Sequence, residues 1–200
     1  MLAIGNNKRG FSLIEMMVVL LLVGVFAAIA VPTLRSVTGS RLKRSAIEVQ
    51  ALIRDTYSRA GLSGKTCRIV FDLDNRSYWV EESSDWVRSK SKEQDEEEER
   101  EAREMGQAIK KPEFKPVEDE LGKVQSLKDD VFFKSIWIEH FEKRESAGHV
   151  ALYFFPDGYT ESAQIILADD PDAKRLYNLI VEPLTGSVMI EDQELPIEES

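Results

Sequence analysis

The sequence is poor in the residues that build disulfide frameworks and metal centres. It contains one cysteine, Cys67, and two histidines, His140 and His149. A single thiol excludes a disulfide within the chain, and so few cysteines and histidines exclude a zinc finger or a Cys/His metal cluster. We therefore predict no structural metal and no cofactor, and we expect Cys67 to be a buried strand residue.

Positive charge is also scarce. The 200 residues contain 26 lysines and arginines against 36 aspartates and glutamates, which gives a formal net charge of −10. The phosphates of DNA and RNA repel such a chain. A general nucleic-acid-binding role is therefore not expected.

The sequence shows no pattern typical of an enzyme active site. It has neither a G-x-S-x-G nucleophile motif nor a glycine-rich loop that cradles phosphates. Its candidate carboxylates stand near proline or glycine, where aspartate commonly bonds its own backbone; they are Asp157, Asp169, Asp170 and Asp172. We predict that the protein is not an enzyme.

One long apolar run lies near the start of the chain. Residues 16–34 are 19 consecutive residues without a charge. As a helix they would extend about 28 Å, close to the thickness of a bilayer core. Flanking charges leave the orientation open, because Lys8 and Arg9 precede the run while Arg35 and further basic residues follow it.

Three interpretations of this segment differ in where the chain is cut. A secretory signal would be cleaved after the run, at the A-x-A pattern of residues 28–30. A single-span anchor would stay intact, and a filament subunit would be cleaved before the run and keep its helix. Glu15 disfavours the signal, because a carboxylate costs about 2.5 to 3.5 kcal/mol if it reaches the bilayer centre.

Glu15 has two explanations. The spacing from Ser12 to Glu15 fits an S-x-x-E capping box, which is compatible with all three interpretations. The second explanation starts from residues 10–15, GFSLIE, which resemble the processing site of type IV pilins and of the pseudopilins of type II secretion systems.

The resemblance implies how the chain is processed and assembled. Prepilin peptidase cuts between Gly10 and Phe11, which removes the basic leader 1–10, and Phe11 is then N-methylated. Glu15 pairs with the freed amine of a neighbouring subunit and selects one helix register, since a misplaced carboxylate would stay unpaired in apolar surroundings. Pro32 matches a proline common in pilin helices and either kinks the helix or ends it.

Beyond residue 34 an amphipathic pattern follows the transmembrane and assembly helix of residues 11–34. Apolar residues recur at spacings of three and four, namely Leu42, Ala46, Val49, Ile53 and Tyr57. This periodicity predicts a helix near residues 41–60, within a stalk of residues 35–64 that continues the first helix through Gly39.

The period changes to that of strands after Lys65. A hairpin is predicted from residues 67–71 and 77–81, and an antiparallel meander from residues 131–138, 150–155, 163–167, 176–181 and 187–190. Between them, residues 88–111 contain eight acidic and seven basic side chains and almost nothing apolar. We expect a charged, flexible insertion there that continues as a linker to residue 130.

The predicted fold class is α+β, with a long N-terminal helix packed on an antiparallel β-sheet head at residues 65–200. This head resembles that of the H family of minor pseudopilins, general secretion pathway protein H, through FFPDG at residues 154–158 and TGSV at residues 185–188. The resemblance implies a single-pass inner-membrane protein with a periplasmic head, which then enters the pseudopilus near its tip.

The partners that the resemblance implies are other minor and major pseudopilins, the prepilin peptidase and the inner-membrane assembly platform. Two alternatives stay open from the sequence. One is a minor type IV pilin of adhesion, motility or DNA uptake, and the other is a membrane-anchored or secreted enzyme.

Overall fold

A computed structural model describes residues 13–85, 87, 100, 104–105, 112–170 and 175–196, and for residues 27–39 it describes the backbone alone. By its internal contacts the chain forms two units, residues 1–38 and 39–200. The secondary structure of each follows from the local pattern of the sequence.

Helix α1 extends from Leu13 to Ser63. It ends where Gly64 adopts a left-handed conformation with φ of 66° and donates its N–H to the carbonyl of Ala60, as helices commonly end on glycine. The alternative in which Pro32 ends the helix is wrong, because α1 continues past this residue. Proline is tolerated there at the loss of one backbone hydrogen bond.

The first sheet is built on the predicted hairpin. Strands β1 (Thr66–Asp72) and β2 (Ser77–Ser83) pair antiparallel in a register that places Ile69 opposite Val80. The turn between them is held by the Asp72 carboxylate, which accepts hydrogen bonds from the backbone and side-chain amides of Asn75 at 2.9 and 2.7 Å. This is the Asp/Asn turn chemistry that the sequence indicated.

The expectation of a linker that reaches residue 130 is wrong for residues 112–130. Two short strands there, β3 (Lys115–Pro116) and β4 (Gln125–Ser126), pair with β2. Val117 and Leu127 are buried, so these two apolar side chains attach the segment to the sheet. The described part of the charged insertion upstream is limited to residues 100, 104 and 105, and the rest of residues 88–111 lies outside the described residues.

The predicted meander is corrected at one strand. Strands β5 (Phe132–Ile138), β7 (Ala163–Ala168), β8 (Leu176–Val181) and β9 (Val188–Glu191) form a second antiparallel sheet in the order β5-β7-β8-β9. Strand β6 (His149–Phe154) instead pairs with β1 in the first sheet. Strands that follow one another in the sequence often pair in a sheet, but not always. Here β6 pairs with the edge of β1 that β2 leaves free.

One hydrophobic core joins the second half of α1 to both sheets. The helix contributes Leu42, Ala46, Val49 and Ile53, all fully or almost fully buried. Phe71 of β1 meets Phe133 of β5 edge to face, with ring centroids 5.5 Å apart. The predicted α+β class is thereby confirmed, with two antiparallel sheets in the head.

Candidate functional site

The processing motif is only partly visible in the structure. Gly10 and Phe11 lie outside the described residues, as does Ser12, so the capping box stays a prediction. Glu15 lies in the first turn of α1 and is exposed. A carboxylate at this position is favoured by the positive end of the helix dipole.

The start of α1 presents apolar side chains in every direction. The described large apolar residues between Leu13 and Phe26 are each between 45% and 80% exposed. Consecutive residues of a helix point around its whole circumference, so this segment has no polar face apart from Glu15. A large exposed apolar surface of this kind is typical of a site of contact with other proteins or with a membrane.

Among the described residues, none of the helical stretches is long and apolar enough to cross a membrane. The backbone at Pro32 is helical, and its side chain lies outside the description. The roles predicted for Pro32 and for the membrane segment therefore stay predictions.

In the head, Tyr57 of α1 connects the two segments that carry the pseudopilin resemblance. Its hydroxyl lies 2.9 Å from the carbonyl oxygen of Gly158 and 3.0 Å from that of Leu184, so one proton is shared between two turns. A Cβ atom on Gly186 would overlap the Tyr57 ring, and Gly186 also has a φ of 60°. Glycine is thus required there both by the backbone and by the aromatic ring.

Sequence reasoning placed Tyr57 only on the apolar face of a helix. Its hydroxyl contacts were missed because they join residues about a hundred positions apart. A signal was available, since the FFPDG and TGSV segments each contain a glycine next to turn residues and a close contact is one reason for such a glycine.

A second cluster of charges lies where α1 meets β2. Glu82 accepts hydrogen bonds from Lys65 and Arg59, and Arg59 also bonds Asp119. The hydrogen bond from Lys65, reinforced by Arg59, holds the pKa of the Glu82 carboxyl below its usual range although burial acts in the opposite direction. Lys65 and Glu82 also line a polar cavity of about 330 Å³.

The groups that could serve an enzyme are engaged in other contacts. His140 Nδ1 lies 2.7 Å from a carboxylate oxygen of the buried Glu161, and Asp169 lies 2.8 Å from the Arg175 guanidinium. Cys67 is fully buried, and burial raises the pKa of its thiol to about 11, so it is unreactive at neutral pH. Asp172 lies outside the described residues.

No trio of His, Cys, Asp or Glu side chains that could hold a metal ion is found in the part of the chain that the structure describes. His140 and Glu161, with His140 Nδ1 2.7 Å from a Glu161 carboxylate oxygen, bring two such groups together in the head.

Comparison with known proteins gives a match to one family model and similarity to solved structures. A model of the prokaryotic N-terminal methylation motif matches residues 5–31. No curated protein sequence matches the chain.

Two of the similar solved structures are of the minor pseudopilin EpsH from the type II secretion system of Vibrio cholerae. One is 13% identical, with 76% of this chain and 97% of that chain covered and a TM-score of 0.48. The other is 15% identical, with 79% and 98% covered and a TM-score of 0.49.

The methylation-motif match includes the whole of GFSLIE at residues 10–15, the segment that resembles a pilin processing site. It also includes most of the uncharged run that follows. This chain thus carries the prokaryotic N-terminal methylation motif at residues 5–31, which agrees with the resemblance of its N-terminus to those of type IV pilins and pseudopilins.

Proposed function

We propose that this chain is a minor pseudopilin of a type II secretion system, a structural subunit that assists the export of folded proteins across the outer membrane. The observation that carries the proposal is GFSLIE at residues 10–15 within the matched methylation motif. In this proposal the chain has no catalytic role of its own, and the force for assembly comes from a separate cytoplasmic ATPase.

Processing is proposed at the cytoplasmic face of the inner membrane. Prepilin peptidase cuts between Gly10 and Phe11, and Phe11 then becomes the N-methylated first residue. The apolar helix stays in the mature chain and holds it in the membrane until assembly. The apolar surface of residues 13–26 supports this proposal, because it needs a lipid environment before assembly and helix neighbours afterwards.

Glu15 is proposed to set the register of the helix bundle. It is a lone carboxylate among apolar neighbours, with Ile14 and Met16 both more than half exposed on either side of it. The α-ammonium of Phe11 on a neighbouring subunit is the partner that neutralises it. An offset that leaves either charge unpaired costs free energy, so the pair selects one register.

The assignment to a secretion system is supported by the head sequence. The segments of residues 154–158 and 185–188 resemble the H family of minor pseudopilins, and both lie beside Tyr57. The proposed partners are other minor and major pseudopilins and the inner-membrane assembly platform. A minor type IV pilin would share the processing motif and is the alternative function. An assay of protein secretion distinguishes it from a pseudopilin.

Intact-mass analysis of the mature protein tests the processing step. We expect a chain that begins at Phe11 and carries one additional methyl group. Gly10→Leu is expected to leave the leader in place, whereas Gly5→Leu changes a glycine of the same leader and is expected to leave cleavage unchanged. A mature chain that begins at Val31 would end the proposal, because that cut lies after the apolar run.

Deletion of the gene, followed by complementation, tests the secretion step. We expect loss of secretion of folded exoproteins and its recovery with the wild-type chain but not with Gly10→Leu. Normal secretion together with loss of surface pili would assign the chain to the type IV pilus instead.

A further inference from the structure

The outer face of the second sheet carries a row of buried polar side chains. Gln164 of β7 and Asn178 of β8 point away from the core, because their neighbours Ile165 and Leu179 belong to it. Both polar residues are nonetheless buried. Arg144 donates to Gln164 Oε1 at 2.6 Å, and Asn178 Nδ2 lies 3.4 Å from the same oxygen.

The C-terminal segment of the chain lies across this row. Arg144 Nη2 donates to the carbonyl of Leu195 at 2.7 Å, and Gln164 Nε2 donates to the carbonyl of Pro196 at 3.2 Å. The carboxylate of Glu194 lies 2.7 Å from Lys134 Nζ and 3.6 Å from Arg144 Nε. The row therefore binds a carboxylate followed by two successive backbone carbonyls.

This segment leaves part of the row unsatisfied. Arg144 Nη1 and Asn178 Oδ1 are buried and have no hydrogen-bond partner among the described residues. One is a donor and the other an acceptor, and Asn178 is fully buried. A backbone peptide group offers both an acceptor and a donor, so an extended polypeptide is the ligand class that fits these two atoms.

We propose that Lys134, Arg144, Gln164 and Asn178 form a binding site for an extended acidic segment of a second polypeptide chain, which displaces residues 194–196. The positive charges of Lys134 and Arg144 select a glutamate or aspartate, and the amide and guanidinium groups bind the main chain that follows it. The site lies on the head, and the proposal does not depend on processing at Gly10 or on secretion.

A fluorescent peptide with the sequence of residues 192–199, DQELPIEE, is the probe. It is added to the full-length chain and to the full-length variant Glu194→Ala, whose own segment has lost its carboxylate contacts to Lys134 and Arg144. Because that segment is an intramolecular competitor, we expect the peptide to bind the variant at least about tenfold tighter than the wild type. Glu120→Ala is the matched control, since its partner Lys123 lies on the exposed surface away from the site.

Two further changes test the residues of the site in the Glu194→Ala background. Arg144→Gln is expected to weaken peptide binding by more than about tenfold. It removes the guanidinium that pairs with the partly buried glutamate of the peptide, the residue that corresponds to Glu194. Lys134 is more exposed than Arg144, so Lys134→Ala is less disruptive to folding and is also expected to weaken peptide binding. It provides the test if thermal unfolding shows that Arg144→Gln impairs folding. A peptide with glutamine in place of its first glutamate is expected to bind weakly.

The proposal is overturned if the peptide does not bind Glu194→Ala, or if it binds equally well when Lys134 is replaced. It is equally overturned if Glu120→Ala gains affinity as much as Glu194→Ala does. These outcomes would leave the proposed pseudopilin function intact, because the assay uses purified protein and no secretion.

Discussion

Gly186 packs so closely against the ring of Tyr57 that a side-chain carbon on the glycine would overlap the aromatic ring. Tyr57 belongs to α1, and Gly186 lies in the turn before β9. The same tyrosine donates its hydroxyl proton toward the carbonyls of Gly158 and Leu184. One aromatic residue therefore ties the helix to two distant turns of the head.

Gly186→Ala is expected to destabilise the head by about 2 to 5 kcal/mol. A left-handed conformation costs a non-glycine residue about 1 to 2 kcal/mol, and overpacking against the ring adds about 1 to 3 kcal/mol. Gly148→Ala is the matched control, because Gly148 has a φ of 79° but open space around it. Urea unfolding of both variants measures the difference, and equal losses would show that the ring contact has no energetic role.

Cys67 is expected to react very slowly with thiol reagents in the folded protein. Burial raises the pKa of its thiol from 9.0 to about 11, so at pH 8 the reactive thiolate fraction falls about a hundredfold. The rate of reaction with dithiobis(nitrobenzoate), measured with and without denaturant, tests this. Similar rates in the two conditions would contradict the buried position of Cys67.

The same thiol predicts the direction of an alkaline effect. Because the folded pKa lies above the unfolded value, the unfolded chain loses its proton first as pH rises. The free energy of unfolding is therefore expected to fall between pH 9 and pH 11, and less so in Cys67→Ala. Tyr78, whose pKa burial raises to about 12, extends the effect to higher pH in both proteins.

Glu82 is expected to contribute to stability at neutral pH and to lose that contribution in acid. The hydrogen bond from Lys65 lowers the pKa of the Glu82 carboxyl, so the stabilisation is complete above pH 4.5 and is lost as pH falls through the lowered value. Glu82→Gln should cost about 1 to 2 kcal/mol at pH 7 and progressively less as the pH falls through the lowered pKa.

Glu120→Gln serves as the control for Glu82, because the Glu120 carboxylate is largely exposed in its pair with Lys123. Exposed pairs of this kind contribute about 0 to 1 kcal/mol. Urea titrations of both variants across this pH range distinguish the two sites. An equal pH dependence for the two variants would show that the Lys65 contact is not what stabilises the head.

Glu15→Ala is expected to block assembly while leader removal continues. With the pairing that we propose for Glu15, the variant leaves the α-ammonium of Phe11 without its partner, and loss of one partner of a buried ion pair costs about 3 to 5 kcal/mol. Crosslinking in membranes and the mass of the mature chain measure assembly and processing separately. Asp55→Ala is the control, because it removes an exposed carboxylate from the second half of the same helix and should assemble normally. Equal assembly of the two variants would show that Glu15 does not set the register.

The helix and the seven longer strands could be predicted to within a few residues because their signals are local. Alternation near Ile69 and Val80 indicates strands, and the spacing from Leu42 to Ile53 indicates one helix face. The structure places these residues in the core. The sheet to which β6 belongs was not predictable in the same way, since strand pairing is a contact between distant segments. Strand β6 could pair either with β1 of the first sheet or with the strands of the second sheet.

The segment of residues 112–130 shows why composition alone misled. Prolines, glycine and charges there are typical of a linker, yet Val117 and Leu127 each contribute a buried side chain to the core. Gly122 packs directly on the backbone of Val117, where a Cβ atom would not fit. Two apolar residues are too few to give a periodic pattern, but they are enough to attach a short segment to a sheet.

The sequence by itself determined the N-terminal motif, the helix that follows it and the α+β class. Each of these depends on adjacent residues or on apolar residues that recur at the short spacings of helices and strands. The tertiary structure alone decided that Tyr57 joins two turns and that Arg144 and Gln164 bind the chain's own C-terminal segment. Those contacts join residues between about 30 and 130 positions apart in the sequence. They form only when the core has brought the strands and the helix together, so local sequence patterns do not predict them.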